Sequence, residues 1–175
     1  MLRKIISIIL ISISTIILFY NDKDISNKQE IIDNIIEEKN QNRIYDGYIN
    51  ITKMNYNLLI KKGSYKEVLD NNLVLMISKK EIFNNEYSNI ILAGHNNKYV
   101  FNSLYKLNIN DEIIISDFYN IYSYKVYKIE KINIKNKEIL DNVYDKRILT
   151  LITCTNNNQI RYVVKCKYNH TISHN

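Results

Sequence analysis

The sequence predicts a mainly β domain, a closed barrel of about eight strands with short helices, preceded by an N-terminal transmembrane helix. Three observations carry that expectation. Residues 5–20 follow Arg3 and Lys4 as an uncharged run. From Tyr45 onward, short apolar stretches alternate with polar clusters, as strands alternate with turns. Only two short helical patterns interrupt them, and short strands in that number lose their exposed edges by closing on themselves.

The chain divides into an anchor (1–20), a charged linker (21–44) and a barrel with a short polar tail (45–175). At 1.5 Å per residue, the uncharged run and its flanks nearly cross a hydrocarbon layer about 30 Å thick. Basic residues ahead of it predict a cytoplasmic N-terminus and an extracytoplasmic domain in the cell membrane. No small-x-small site follows Leu18, so an uncleaved signal anchor is preferred to a cleaved signal peptide. In the linker, Ile25, Ile31, Ile32, Ile35 and Ile36 recur at helical spacings between acidic residues. They predict an amphipathic helix near 25–40 that docks beside the barrel rather than over its cleft; a mobile stalk is the alternative.

Strands are expected over 48–54, 56–60, 73–77, 90–93, 112–116, 123–134, 149–153 and 162–167. Ser64 followed by Glu67 makes a capping box for a helix over 64–71. A second short helix is expected over 100–104, leading into a turn over 108–111. The chain has Gly 3 and Pro 0, so Asn and Asp are expected at many turns, because both tolerate left-handed backbone.

At 175 residues and 46% hydrophobic, the chain can bury a real core, which argues against disorder. Its net charge of +6 reflects abundant Lys and comes with no nucleic-acid-binding signature, so nucleic acid is not an expected partner. Two cysteines, Cys154 and Cys166, make no disulfide framework, and no Cys-x-x-Cys spacing marks a metal site.

Cys154 ends the apolar stretch Leu149-Thr150-Leu151-Ile152-Thr153 and opens onto Asn156-Asn157-Asn158. A thiol at a strand end is held rigidly yet stays accessible, which suits a nucleophile; a small core residue is an equal reading of these residues alone. If the Asn run turns tightly, Arg161 lies opposite Cys154 on the returning strand, able to stabilise a thiolate or an oxyanion. An exposed strand arginine is the plainer alternative. Cys166, about 16 Å further along that strand, is too far for a bridge and reads as core filler. His170 and His174 lie in the polar tail and are expected to be solvated. His95 leaves another apolar run beside Gly94 and is either a structural loop residue or a catalyst.

Together these residues resemble the sortase family. Ile91-Leu92-Ala93-Gly94-His95-Asn96 resembles the segment around that family's catalytic histidine. Thr150-Leu151-Ile152-Thr153-Cys154 matches its T-L-x-T-C signature, and Arg161-Tyr162-Val163-Val164 resembles its arginine-bearing last strand. The likeness runs from about Tyr48 to Tyr168. The first strand departs from it, with Ile51-Thr52-Lys53-Met54 where many sortases carry Ile-Pro-x-Ile. The short stretch over 135–147 is similar to the A or D classes rather than the B class.

The resemblance implies a cysteine transpeptidase. Cys154 would attack the Thr–Gly bond of a C-terminal LPxTG-like sorting motif on a surface protein, His95 would protonate the leaving amine, and Arg161 would hold the oxyanion. Thr153, Ala93 and Asn96 are implied as substrate-binding residues, although packing explains Thr153 equally well. An amine of a peptidoglycan precursor or of another protein would accept the acyl group, and no cofactor is implied. Two other readings stay open: a cysteine peptidase with water as acceptor, and a non-catalytic anchored module that binds wall polymer or protein.

Overall fold

A computed structural model of the chain describes residues 2–37, 44–54, 56–78, 88–140 and 146–172. Eight strands, β1 (Gly47–Ile51), β2 (Tyr56–Lys61), β3 (Val74–Met76), β4 (Ser88–Gly94), β5 (Glu112–Ser116), β6 (Ile121–Asn133), β7 (Arg147–Cys154) and β8 (Ile160–Ile172), form the framework. They close into a barrel in the order β1-β2-β3-β4-β7-β8-β6-β5. Most neighbours are antiparallel, but β2–β3 and β4–β7 run parallel, each pair joined by a crossover.

The alternation of apolar residues explains the barrel's filling. Ile49 and Ile51 from β1, Ile90 and Leu92 from β4, and Leu149 and Leu151 from β7 point inward and are fully or almost fully buried. Val100, Phe101, Leu104 and Leu107 close one end of this core from the segment after β4, where Asn102–Lys106 forms a 3-10 turn. A smaller outer cluster of Val68, Leu69 and Leu75 seats helix α2 (Tyr65–Asp70) on the outside of the barrel.

Several expected boundaries shift for identifiable reasons. The first strand stops at Ile51 instead of 54, because Ile51 pairs with Tyr56 and the four intervening residues must turn the chain. Lys53 in that turn reaches Asp111 at 3.0 Å. The C-terminal segment, expected as a polar tail beyond 167, is strand as far as Ile172. It pairs with the start of β6, Ser123 opposite His170 and Ile121 opposite Ile172. Its residues are polar although they form a strand, because that end of the strand is exposed to water. Asparagine does serve as the left-handed turn residue in this glycine-poor chain, with φ 55° at Asn72 and 73° at Asn110.

Ser64 caps α2 by accepting a 3.2 Å hydrogen bond from the Glu67 amide. The Glu67 carboxylate is occupied with Lys61 at 3.1 Å. Ser64→Ala is therefore expected to cost about 1 kcal/mol, read as a melting temperature lower by a few degrees.

The two helical stretches expected over 1–44 are a single helix, α1 (Leu2–Glu37), of 36 residues. No Gly or Pro occurs within it to break it. Among the described residues, no helix is long and apolar enough to cross a membrane. In α1, Leu10, Ile11, Leu18 and Phe19 are exposed. The later part of α1 docks beside β2, where the Asn57 amide donates to Asp33 at 2.8 Å. Residues 38–40, the end of the expected amphipathic helix, lie outside the described residues.

Candidate active site

Strand register alone brings the three candidate catalytic residues to one rim of the barrel. β4 and β7 run parallel from Ser88 opposite Arg147 to Gly94 opposite Thr153. His95 follows the first strand and Cys154 ends the second, so both leave the barrel on the same side. β8 returns antiparallel beside β7, with Arg161 directly opposite Cys154 and Tyr162 opposite Thr153. Directly opposed Cα atoms in such a ladder lie about 4.5–5.5 Å apart.

The Asn-rich hairpin between β7 and β8 sets that opposition. The Thr155 hydroxyl donates to the Asn157 carbonyl at 3.0 Å and accepts from the Asn157 amide at 3.1 Å. The Asn157 side chain accepts from the Gln159 amide at 2.9 Å, and the Ile160 amide donates to the Asn157 carbonyl at 2.9 Å. With its polar groups satisfied internally, the hairpin can stay short. The Arg161 guanidinium is turned toward it, donating to the carbonyls of Asn158 at 2.9 Å and Ile160 at 3.1 Å.

The backbone around His95 is clamped on both sides. The buried Thr153 hydroxyl donates to the Gly94 carbonyl at 2.8 Å. The Phe101 amide donates to the His95 carbonyl at 2.9 Å. Gly94 itself lies under the helical cap of the core: a Cβ there would meet Val100 Cγ1 at 2.6 Å and Phe101 Cδ2 at 2.7 Å. Glycine is required by space, not by backbone angle.

A cleft of about 450 Å³ opens beside this rim. Cys154, Thr153 and Asn96 line it, together with Tyr162, Lys131 and Asn157. His95 and Arg161 are not in its lining. Ala93, implied as a substrate contact, is half-buried and is not in this lining. It packs outward against the cluster of Val68, Leu69 and Leu75, since alternate residues of β4 face opposite sides. Lys131, Tyr162 and Phe101 contribute to the cleft without having been singled out from sequence. The pairing of β6 with β8, which brings Lys131 opposite Tyr162, has no local signal.

Both cysteines are free, Cys154 half-buried at the rim and Cys166 fully buried. Burial pushes the Cys166 thiol well above the ordinary thiol range, so it stays protonated and unreactive. An alkylating reagent near pH 8 should label Cys154 alone in the folded chain, and both thiols only after denaturation, as mass spectrometry would show. His170, exposed on β8, is engaged by the Asn169 side chain at 2.8 Å. His174 lies outside the described residues. Among the described residues, no three His, Cys, Asp or Glu side chains cluster to hold a metal.

Comparisons with known proteins agree with this geometry. The sortase domain model matches residues 49–169. Sortase A of Listeria monocytogenes is 32% identical over 111 residues, covering 62% of this chain and 48% of that protein. The chain thus spans about half the length of this curated relative. Among solved structures, L. monocytogenes sortase A superposes with a TM-score of 0.65 at 25% identity, over 73% of this chain and 88% of that one. Sortase E1 of Streptomyces coelicolor, solved with a tripeptide in its active site, gives 0.66 at 26% identity, over 73% and 89%. With the domain model spanning the barrel and its rim residues in the family's order, the chain belongs to the sortase family.

Proposed function

We propose that this chain is a membrane-anchored cysteine transpeptidase that cleaves an LPxTG-like sorting motif and transfers the acyl group to an amine. The observation that carries the reading is the register that sets Cys154 opposite Arg161 and beside the strand leading to His95. In the first half-reaction, the Cys154 thiolate adds to the threonine carbonyl of the Thr–Gly bond. Arg161, released from the hairpin carbonyls, stabilises the oxyanion, and the backbone amide of Thr155 is a second candidate donor. The C–N bond then breaks, His95 protonates the departing glycine amine, and a thioester remains on Cys154. In the second, an acceptor amine attacks the thioester, gives its proton to His95, and expels the Cys154 thiolate.

The donor is a surface protein bearing the motif, and the acceptor is an amine on a peptidoglycan precursor or another protein. A tripeptide in the active site of sortase E1 supports a short extended peptide as the ligand of the corresponding cleft here. Residues 138–140 form a short 3-10 turn between β6 and β7, which favours class A or D over class B. Residues 5–20 act as the signal anchor: the run is uncharged, follows Arg3 and Lys4, and includes exposed apolar side chains suited to lipid. The N-terminus is then cytoplasmic and the barrel extracytoplasmic.

The test incubates the full chain in detergent with a quenched LPxTG-type peptide, with and without an amine nucleophile. Cleavage with formation of an amine-ligated product supports transpeptidation. Hydrolysis unchanged by the amine moves the reading to a cysteine peptidase. Silence together with an unreactive Cys154 thiol moves it to a binding module.

A further inference from the structure

The connection between β6 and β7 is fastened to the outer face of the barrel by buried side chains. Both strands pair antiparallel with β8, so they run the same way, and the chain must return from the rim at Asn133 to the far end at Arg147. It leaves beside the β7–β8 hairpin, where the Ile134 amide donates to the Gln159 carbonyl at 2.8 Å. A turn follows, with the Asn136 amide on the Asn133 carbonyl at 2.9 Å and the Glu138 amide on the Asn136 side chain at 3.1 Å. The connection then meets β4, where the Asn89 side-chain amide donates to the Ile139 carbonyl at 3.1 Å. Oδ1 of the same Asn89 accepts from the Thr150 hydroxyl of β7 at 2.7 Å. Asn89, Thr150 and Ile139 are all buried.

Strand alternation shows what this fastening borders. Ile90, Leu92, Leu149 and Leu151 fill the core, so Asn89 and Ala93 of β4 and Thr150, Ile152 and Cys154 of β7 face outward. Val163 and Arg161, directly opposite Ile152 and Cys154 on β8, face the same way. On this outer face Asn89, Thr150 and Val163 are buried, whereas Ala93, Ile152, Cys154 and Arg161 are only half-buried. The first three lie under a second layer, to which Ile139 belongs; the other four form an open strip that ends at the candidate nucleophile. Val163 is two residues from Arg161, about 7 Å along the strand, so the covered part of the face stops close to the site. Within 134–140 only Ile139 is buried, so packing holds this stretch at a single side chain and the Asn89 bond fixes where it lies.

We propose that Asn89 is a positioning residue for peptide capture: by joining Thr150 of β7 to the Ile139 carbonyl, it holds the β6–β7 connection in place as a fixed wall beside Cys154. The proposal rests on the transpeptidase reading for the peptide's placement. Cys154 and Arg161 both face outward, so a peptide whose threonine carbonyl meets them lies on the open strip, alongside the connection. A wall already held in place costs the peptide no ordering when it binds, whereas a loosened one must be ordered at that moment. The thiol, the imidazole and the guanidinium stand on other segments, so the chemical step does not depend on this bond.

The test measures kcat and KM of the full chain on a quenched LPETG peptide, binding of that peptide in the Cys154→Ala background, and hydrogen exchange over 134–140. Asn89→Ala is expected to raise KM and weaken binding about fivefold, leave kcat within about twofold, and speed exchange over 134–140. Thr150→Val moves all of these the same way, and Thr150→Ser, which keeps the hydroxyl, restores them. Ser78→Ala is the stability control. The Ser78 hydroxyl donates to the Asn89 carbonyl at 3.2 Å and accepts from the Ile91 amide at 2.7 Å, so it supports β4 without touching the connection. Its loss lowers the melting temperature and leaves KM unchanged. An unchanged KM or unchanged exchange in Asn89→Ala, or a KM raised equally in Ser78→Ala, overturns the proposal and leaves transpeptidation standing. Asn89-dependent binding without any cleavage upholds the role of Asn89 and overturns the transpeptidase reading. No binding and no cleavage overturn both.

Discussion

Replacing Cys154 with alanine is expected to abolish peptide cleavage, by at least about a thousandfold, while leaving the barrel folded. The reasoning joins chemistry to position. Without a thiol no thioester forms, and the remaining oxyanion stabilisation and peptide binding account for only a small share of the rate in thiol and serine acyl-transfer enzymes. Cys154 ends β7 half-buried at the rim, so truncating it opens no cavity in the core, whose β7 residues are Leu149 and Leu151. Melting temperature should therefore move little while activity vanishes. A binding module would show the reverse indifference, with peptide or polymer binding unaffected by the change.

Gly94→Ala is expected to be the most damaging small substitution at the site. The added methyl would sit 2.6 Å from Val100 and 2.7 Å from Phe101, distances that real Cβ contacts do not tolerate. Neither neighbour can yield easily, because both are fully buried in the main core and the Phe101 clash involves the base of the ring. Overpacking of this kind costs about 1–3 kcal/mol, or several degrees in melting temperature. Its second consequence falls on catalysis. The Gly94 carbonyl takes the Thr153 hydroxyl, and the next carbonyl, of His95, takes the Phe101 amide. Pushing the backbone away from Phe101 displaces the imidazole from the rim, and a shift of about 1 Å can cost about a hundredfold in rate. Activity should fall further than the loss of folded protein explains, which a rate measured well below the melting temperature would separate.

Much of this site could be read directly from sequence, because its key residues sit at the ends of strands with strong local signals. The runs Ile90-Ile91-Leu92-Ala93 and Leu149-Thr150-Leu151-Ile152 mark two strands, and His95 and Cys154 are placed by where those runs stop. The tight Asn-rich hairpin made Arg161 a neighbour of Cys154 by simple counting. His170 is exposed to water, as expected, but on a strand rather than in a tail, because an exposed strand end looks like a loop when its partner, the start of β6, is nearly 50 residues away in sequence. Lys131 escaped notice for the same reason: only the long-range ladder between β6 and β8 puts it in the cleft. Ala93 was assigned with its motif neighbours, but strand alternation sends its side chain under α2. The helical seats of α2 and of the 3-10 turn at 102–106 were nearer the mark, since Ser64 and the apolar spacing of Phe101, Leu104 and Leu107 are local cues.

The central claim is that Cys154 carries the acyl group, and the intact mass of the enzyme tests it most directly. The full chain would be mixed with an LPxTG-type peptide, quenched in acid within the first turnovers, and mapped by proteolysis and mass spectrometry. The account predicts a mass increase equal to the acyl portion ending in threonine, located on Cys154, labile to hydroxylamine and absent from Cys154→Ala. Peptide cleavage that continues in Cys154→Ala, or an acyl adduct on any other residue, would contradict it.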